Sequence, residues 1–297
     1  MGKKRSPDLS ISLISFNTKD LVEQCLNSIF RNTRHLQLEV MLVDNASKDG
    51  TPAMVQKKFP EVKLTRNRSN ELFTKAHNHN LKRSHGDYFL VLNEDIQIPP
   101  LALEKMVTFM KKHPKVGLAS CRQVNEHEIT DMTCHRFPHP LIEIFESSSL
   151  GKRVMKFIPL KSVEKLISSH NYSGWRRNTI REVDFIPGSF FMGRKELLDK
   201  VGFFDEGFWL FYEEPDYCKR AKNAGFLTYH VGTITITHLR TKAIAKLPPF
   251  RRYQIAEHDI LAYHKKYFGL FWWLILWAVY RPDWLYWKLN RQNRSKQ

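Results

Sequence analysis

The residues best placed for chemistry in this chain are Asn93, Glu94 and Asp95. They directly follow Tyr88–Leu92, a run of apolar and aromatic residues that is typical of a fully buried strand. Open α/β sheets bind their ligands beyond the carboxyl ends of the strands, and these side chains therefore lie where a ligand is expected. The alternative is a polar turn between strand and loop that takes no part in chemistry.

A regular alternation of strands and helices surrounds that stretch. The pattern predicts strands at residues 10–15, 39–43, 62–65, 88–92 and 116–120, and helices at 20–30, 52–59, 71–82 and 101–112. Because the connections are short, the first 120 residues should form a mostly parallel α/β sheet with crossover helices.

The second half of the chain is less regular. Residues 122–181 are predicted to be irregular with one or two helices, forming an insertion over one rim of the sheet on the acceptor side. Order returns with a strand at Val183–Ile186, followed by predicted helices at 195–200 and 213–223 and by one or two strands within 227–237. We expect one catalytic domain over residues 8–245 and a helical tail over residues 246–297.

The charge of the chain is strongly positive and unevenly distributed. With 47 Lys and Arg against 30 Asp and Glu, the net charge is +17, and residues 240–297 carry 12 basic and 3 acidic residues. Such a surface attracts an anionic partner: a nucleic acid, a membrane surface or a phosphorylated substrate. The four cysteines show no paired spacing, and the N-terminus has no apolar signal region, which together favour a cytosolic compartment.

Four motifs, taken in order, resemble the inverting glycosyltransferases of family 2, and in particular their rhamnosyltransferase-like branch. The resemblance spans roughly residues 8 to 240 and implies the GT-A fold, a Rossmann-like, mostly parallel sheet flanked by helices. The motifs are Ser15-Phe16-Asn17, Val43-Asp44-Asn45-Ala46-Ser47-Lys48-Asp49-Gly50-Thr51, the stretch from Gly86 to Asp95, and the stretch from Pro187 to Asp216.

The resemblance implies a nucleotide-sugar donor, linked to UDP, dTDP or GDP, and a Mg²⁺ or Mn²⁺ cofactor. Asp95 is then the expected metal ligand, and His238 supplies a further metal or phosphate contact unless its role is only structural. Asp44 would bind the base or ribose of the nucleotide, although it could instead cap the next helix. The full expected donor set is Ser15, Phe16, Asn17, Asp44, Asn45, Asn70, Asn93 and Glu94.

An inverting transfer also needs a general base that takes the proton of the acceptor hydroxyl. The family places this base in a Glu-Asp pair at the start of a late helix, which in this chain reads Glu213-Glu214. Glu214 is the candidate base and Asp216 the alternative, while Gly188 and Glu213 are expected to contact the acceptor. Acidic residues at a helix start also interact favourably with the helix dipole without any catalytic role.

Two departures from the family pattern bear on activity. Leu72 stands where the family usually has glycine, and Glu94 stands where it usually has proline. Either change could alter the donor preference or mark a weakened enzyme.

The C-terminal tail contains an unusual aromatic segment. Tyr267–Tyr280 carries no charge, and five of the seven tryptophans lie between positions 272 and 287. As a helix it is too short to span a bilayer, and Arg281-Pro282-Asp283 is expected to interrupt it. We predict that it lies on the anionic cytoplasmic face of a membrane as a peripheral or monotopic element. The alternative is packing against the catalytic domain or a second copy in a homodimer.

These observations favour an enzyme over a binding protein. The leading hypothesis is a metal-dependent hexosyltransferase that moves a sugar onto a glycan or a polyprenyl-phosphate-linked glycan in surface polysaccharide synthesis. The alternative is a catalytically weakened GT-A domain that acts as a membrane-bound scaffold. A nucleic-acid partner is not expected, because the basic charge is not accompanied by a nucleic-acid-binding motif.

Overall fold

A mixed sheet organises the computed structural model, which describes residues 6–157, 161–240 and 248–294, with residues 290–294 described by backbone alone. The nine strands of the described chain are β1 (Leu9–Ser15), β2 (Leu38–Asp44), β3 (Lys63–Arg66), β4 (Tyr88–Leu92), β5 (Ile96–Gln97), β6 (Val116–Val124), β7 (Ile180–Glu182), β8 (Phe190–Arg194) and β9 (Leu227–His238). Their order is β3-β2-β1-β4-β8-β6-β9-β5, and β7 pairs with β9. The predicted α/β fold with a mostly parallel sheet is confirmed.

The direction of the strands creates the edge on which the site is built. β1 pairs in parallel with β2 and β4, with Ser15 opposite Asp44. β8 runs antiparallel to β4, so that Leu92 at the end of β4 lies opposite Phe190 at the start of β8. The carboxyl ends of β1, β2 and β4 therefore meet the amino end of β8 at one edge of the sheet.

Helices cover both faces of this sheet. They are α1 (Lys19–Asn32), α2 (Thr51–Lys58), α3 (Leu72–Leu81), α4 (Ala102–Lys112), α5 (Pro140–Ile142), α6 (Ser149–Phe157), α7 (Lys161–His170), α8 (Lys195–Lys200), α9 (Glu213–Asn223) and α10 (Pro249–Arg294), with a π-helical turn at Glu143–Ser147. α1 forms because its apolar residues recur at helical spacing, and Val22, Cys25, Leu26 and Ile29 are all buried.

Two hydrophobic clusters lie on opposite faces of the sheet, and β4 contributes to both. Leu90 and Leu92 pack in the cluster with α1, α2 and α4, whereas Phe89 and Val91 pack in the cluster with α3, α8 and α9. All five β4 residues are buried, which explains the continuous apolar run in the sequence.

Several predicted elements need correction. The strand expected at Val183–Ile186 is wrong; the strand in this region is β7, at Ile180–Glu182, which pairs with the edge of β9. Residues 122–181 hold more helical segments than the one or two expected. Hydrogen bonds to β9 and short local helices give this insertion an order that periodicity alone does not reveal.

The C-terminal helix is also interrupted at a different residue from the one expected. It continues through Pro282, and its break lies at Gly269, which has φ 82, a conformation that favours glycine. Pro282 and Ala278, whose carbonyl loses its helical donor, are both exposed, so water can satisfy that carbonyl. The boundary expected at residues 245 and 246 falls outside the described residues.

One face of α10 packs on the rest of the protein. Leu276 and Tyr280 are buried in a small cluster with Ile260, and Ile144 and Tyr212 pack against them. The described chain contains no helix that is long and apolar enough to cross a membrane.

Gly193 in β8 provides a test of the packing between the sheet and its second cluster. A Cβ at this position would overlap the buried ring of Phe89. We expect Gly193→Ala to lower the free energy of unfolding by about 1–3 kcal/mol, because the ring has no free space to move into. Urea unfolding followed by circular dichroism measures the change.

Gly207→Ala is the matched control. A Cβ there would lie 3.1 Å from Oδ1 of the partly exposed Asp205 side chain, which can move. The expected change is within about 0.5 kcal/mol. Equal stability of the two variants would contradict the packing described for Phe89.

Candidate active site

A cavity of about 410 Å³ opens at the edge where β1, β2 and β4 end and β8 begins. The structure brings ten of the predicted site residues into its lining: Phe16, Asn45, Asn70, Asn93, Glu94, Asp95, Gly188, Glu213, Glu214 and His238. Four others, Ser15, Asn17, Asp44 and Asp216, do not line it.

Three of those four hold together the loops beside the cavity. The Ser15 hydroxyl donates to Asp44 Oδ2 at 2.9 Å, and the Ser47 backbone N–H donates to Asp44 Oδ1 at 3.0 Å. Asn17 Oδ1 accepts from the Lys48 backbone N–H at 2.8 Å. These bonds join the loop after β1 to the loop after β2, so both loops keep one shape next to the cavity.

Asn45 stabilises a second wall of the cavity through its side-chain hydrogen bonds. It is buried, and its Oδ1 accepts from Asn67 Nδ2 at 2.9 Å while its Nδ2 donates to Asn70 Oδ1 at 3.2 Å. Asn70 Oδ1 also accepts from the Leu72 N–H at 2.9 Å. Leu72 has φ 61, a left-handed conformation that favours glycine, the residue that the family pattern has at this position.

Asp95 and His238 meet because β5 pairs with the end of β9, with Ile96 opposite His238. His238 Nε2 lies 3.2 Å from Asp95 Oδ1, and His238 Nδ1 lies 3.5 Å from Asp131 Oδ2. Desolvation lowers the pKa of His238, but the hydrogen bonds and charges of Asp131 and Asp95 outweigh it and raise the pKa to about 9.

The chemistry of this pair suits a hard divalent cation. Mg²⁺ and Mn²⁺ sites need one or two protein carboxylates and take other ligands from water and substrate phosphates. Asp95 supplies such an oxygen in the cavity lining, and His238 lies beside it as a second ligand once its ring has lost a proton. In the described chain no three His, Cys, Asp or Glu side chains are arranged to hold a metal by themselves. The residues present therefore fit a cation whose remaining ligands come from the substrate and water.

Glu214 lies on another wall, formed by the start of α9. Its Oε1 accepts from the Gly188 backbone N–H at 2.8 Å, and a Cβ at position 188 would lie 2.7 Å from this oxygen, so the approach requires glycine. Desolvation by burial raises the pKa of Glu214 to about 7, against the lowering effect of the Gly188 N–H. Burial, with the charge of Glu214, also raises the pKa of Glu213 well above its usual value.

Asp216 has a different environment. It is fully buried, and its carboxylate contacts Arg220 Nε at 2.8 Å, Lys266 Nζ at 2.7 Å and the Tyr267 hydroxyl at 2.7 Å. The structure thus separates the two candidate bases: Glu214 faces the cavity, whereas Asp216 joins α9 to the C-terminal helix.

Comparisons with known proteins identify the family to which this chain belongs. The profile described as glycosyl transferase family 2 matches residues 10–202. The chain belongs to glycosyl transferase family 2. Members transfer a sugar from a nucleotide-sugar donor, and this glycosyltransferase shares that general activity.

Two relatives illustrate the similarity in sequence. N-acetylglucosaminyl-diphospho-decaprenol L-rhamnosyltransferase of Mycobacterium tuberculosis is 23% identical over 270 residues, which are 86% of this chain and 81% of that protein. An uncharacterized glycosyltransferase of Haemophilus influenzae is 31% identical over 122 residues, which are 40% of this chain and 41% of its own.

Two solved structures show the GT-A-like fold of the glycosyltransferase. The mannosyltransferase PcManGT from Pyrobaculum calidifontis, in complex with GDP-Man and Mn²⁺, has a TM-score of 0.57 at 19% identity, over 89% of this chain and 65% of that one. GalNAc-T7 with UDP, GalNAc and Mn²⁺ has a TM-score of 0.56 at 12% identity, over 78% of this chain and 43% of that one. The predicted family and fold are confirmed.

Several lining residues of the glycosyltransferase were not predicted from the sequence. His77 is buried with Nδ1 2.8 Å from Ser12 Oγ, and burial lowers its pKa to about 3, which keeps the ring neutral. Leu210 and Phe211 belong to the aromatic stretch before α9, and Arg240 lies two residues after His238. Only the proximity of Arg240 to the expected His238 was a usable signal in the sequence.

The two acidic residues of the glycosyltransferase should differ in their effect on stability. Asp216→Asn should lower the free energy of unfolding by about 2 kcal/mol, because Lys266 and Arg220 lose a buried partner. Glu214→Gln should raise stability at pH 8, because a carboxyl whose pKa rises from 4.5 to about 7 on folding is ionised there at a cost to the folded state. At pH 5 this gain should be small. Urea unfolding at both pH values measures the changes.

Each variant serves as the other's control, since both are carboxylate-to-amide changes in α9. A Glu214→Gln variant with no gain at pH 8, or a fully stable Asp216→Asn variant, would contradict the environments described.

Proposed function

We propose that this family 2 glycosyltransferase is an inverting, metal-dependent enzyme that glycosylates a polyprenyl-diphosphate-linked glycan at a membrane surface. The observation that supports the catalytic part of this proposal is the set of groups that line the cavity. A carboxyl group with a pKa of about 7 and the Asp95–His238 pair share one lining, beside backbone and amide groups from three strand ends.

Glu214 is the general base of the proposed reaction. Its carboxylate takes the proton of an acceptor hydroxyl, the hydroxyl oxygen attacks the anomeric carbon, and the bond to the nucleoside diphosphate breaks on the opposite face. A base with a pKa near the working pH combines a large ionised fraction with good proton affinity. The Gly188 N–H bond to Oε1 keeps the carboxyl group in one orientation while leaving the second oxygen to accept the proton.

Asp95 and His238 face the developing charge of the leaving group. These two residues would hold Mg²⁺ or Mn²⁺, which would neutralise the charge of the diphosphate and favour its departure. Arg240 lines the same cavity and is held by Asp131 at 2.7 Å, which places a further cation on this wall. A UDP-, dTDP- or GDP-linked sugar fits this chemistry, since the diphosphate is common to all three.

The proposed acceptor rests on two observations. The mycobacterial relative is named for a decaprenol-linked acceptor, and it matches 86% of this chain. In addition, the segment after Arg240 is basic and aromatic, as expected for a protein that meets a lipid carrier in an anionic membrane.

The outer face of α10 supports membrane association. Away from the buried Leu276 and Tyr280, the helix exposes several large apolar side chains: Leu270, Phe271, Leu274, Trp277, Leu285 and Leu289. The Arg281 guanidinium lies 4.8 Å from the Trp277 ring centroid, and the Lys288 ammonium lies 4.6 Å from that of Trp284. Apolar, aromatic and cationic groups on one helix suit the headgroup region of an anionic leaflet.

The donor and metal roles can be tested by binding and turnover together. Purified full-length protein is mixed with UDP-, dTDP- and GDP-sugars, with and without Mn²⁺ or Mg²⁺, and thermal stability and nucleoside diphosphate release are followed. We expect one donor class to stabilise the protein by about 2.7 kcal/mol at about 100 times its Kd. Asp95→Asn should remove the metal-dependent part of that stabilisation, and Glu214→Gln should slow release by about 10²–10⁴-fold with binding retained.

Glu126→Gln is the control, since Glu126 is exposed and lies outside the cavity. It should behave like the unmodified protein. If neither nucleotide nor metal stabilises the protein, the catalytic proposal fails; if Glu214→Gln keeps full turnover, the base is another group.

Membrane association predicts binding to vesicles. Full-length protein should sediment with vesicles of equal parts phosphatidylglycerol and phosphatidylcholine, and less so at high salt, because surface cations contribute about 1 kcal/mol each. A Phe271→Glu, Leu274→Glu double variant should bind at least about 10-fold more weakly. Phe157→Glu, on a 77% exposed side chain outside α10, is the matched control and should bind normally. Equal sedimentation of both variants would contradict the proposed surface.

A further inference from the structure

Three consecutive backbone N–H groups converge on one buried carboxylate of the C-terminal helix. Asp259 is fully buried, and its Oδ2 accepts from Trp209 N at 3.2 Å, Leu210 N at 3.1 Å and Phe211 N at 2.9 Å. Its Oδ1 lies 3.1 Å from Trp209 N and 2.8 Å from His258 Nδ1. A carboxylate that accepts several backbone N–H bonds is strongly held, and it holds the donating segment equally strongly.

That segment leads directly into the proposed base. Leu210 and Phe211 line the cavity, and Tyr212 precedes Glu213 at the start of α9. Tyr212 has φ 69, an uncommon conformation for a non-glycine residue, and its hydroxyl donates to Glu143 Oε1 at 2.5 Å. Strained residues persist only where their surroundings hold them, and the bonds to Asp259 and Glu143 on successive residues supply that restraint.

The other side of the loop is fixed from the same helix. The His258 ring stacks on the Trp209 ring with centroids 3.8 Å apart and planes 10° apart. The Trp209–Phe211 loop therefore receives a stacking contact at its first residue and charged hydrogen bonds along its whole backbone. Through these contacts, α10 holds the loop that leads into the first residue of α9.

We propose that Asp259 is a positioning residue for the general base, acting through the Trp209–Phe211 loop and through its negative charge. The proposal rests on the function proposed above, in which Glu214 removes the acceptor proton. Asp259 does not line the cavity, so it acts on the substrate indirectly, through the loop that it holds and through its charge near Glu214.

The charge of Asp259 acts on a defined group of neighbours. The titratable groups near Glu214 include Glu213, Asp216 and Cys218 on α9, Asp259 with its neighbour His258 on α10, Lys266 paired to Asp216, and, in the same cavity lining, His77, Glu94, Asp95, His238 and Arg240. Burial raises the pKa of Glu214 most, the Gly188 N–H opposes this, and the negative charge of Asp259 raises it further. Removal of that charge should therefore lower the pKa of the base.

Three variants of the full-length protein distinguish the effect of Asp259 on the position of Glu214 from the effect of its charge. The probe is nucleoside diphosphate release from whichever UDP-, dTDP- or GDP-sugar the unmodified protein turns over, measured as kcat and donor KM across pH. Asp259→Asn should reduce kcat about 10- to 100-fold with donor KM little changed, because the base is misplaced while the donor wall is not. The acidic limb of its kcat profile should move to lower pH by about 0.5–1 unit.

Asp259→Glu keeps the charge but lengthens the side chain, so kcat should fall while the acidic limb stays in place. Asp283→Asn is the matched control on the same helix, because Asp283 Oδ2 accepts one backbone N–H, from Ser149, in a region away from the cavity. It should leave kcat and the pH profile unchanged. Thermal melts of all three variants report whether each is folded.

The outcomes distinguish this inference from the proposed function. If Glu214→Gln retains turnover, the assignment of Glu214 as the base in the proposed function fails on its own. If Glu214→Gln is inactive but folded Asp259→Asn keeps both kcat and its acidic limb, the positioning role is overturned. It is also overturned if Asp259→Asn and Asp259→Glu move the limb alike, since a purely structural defect would not depend on charge. If Asp259→Asn does not fold, an unchanged kcat in Asp259→Glu overturns it.

Discussion

The arrangement of the site depends on strand β4 being buried on both faces between a parallel and an antiparallel neighbour. Its alternate side chains fill both hydrophobic clusters, so a shift of one residue would exchange the two sets and disrupt both. This register fixes where the chain leaves the sheet. Asn93 then bonds to the Ser189 carbonyl at 3.0 Å, and Ile96 pairs with His238, which brings together residues from three distant parts of the chain.

The second constraint comes from the C-terminal helix, which shapes the base side of the cavity from outside. Asp259 holds the loop before α9, while Lys266 and Tyr267 bind Asp216 within α9. The same helix presents its apolar outer face to its surroundings. One element thus carries both the contacts that place the proposed base, before its break at Gly269, and the surface proposed to meet the membrane, after that break.

What could be predicted from the sequence depended on which interactions are local. Helix α9 and strand β4 were predicted because their periodicity lies within a few residues, and the family motifs identified Asp95, Glu214 and His238 as site candidates. The environments that distinguish Glu214 from Asp216 depend on Lys266 and Tyr267, some 50 residues later, which no local pattern reveals. The contacts of Asp131 and Asp259 could not be predicted for the same reason, since each is defined by partners across the fold.

The charges of the cavity also explain why its acidic groups are tolerated. On the wall formed by β5 and β9, Asp95 and Asp131 flank His238 and raise its pKa. On the wall formed by α9, burial raises the pKa of Glu214. One wall thus pairs its carboxylates with His238 and Arg240, and the other holds a carboxyl group that is readily protonated. In the proposed reaction, charge develops on the diphosphate leaving group and at the acceptor hydroxyl, and the two walls supply groups for each.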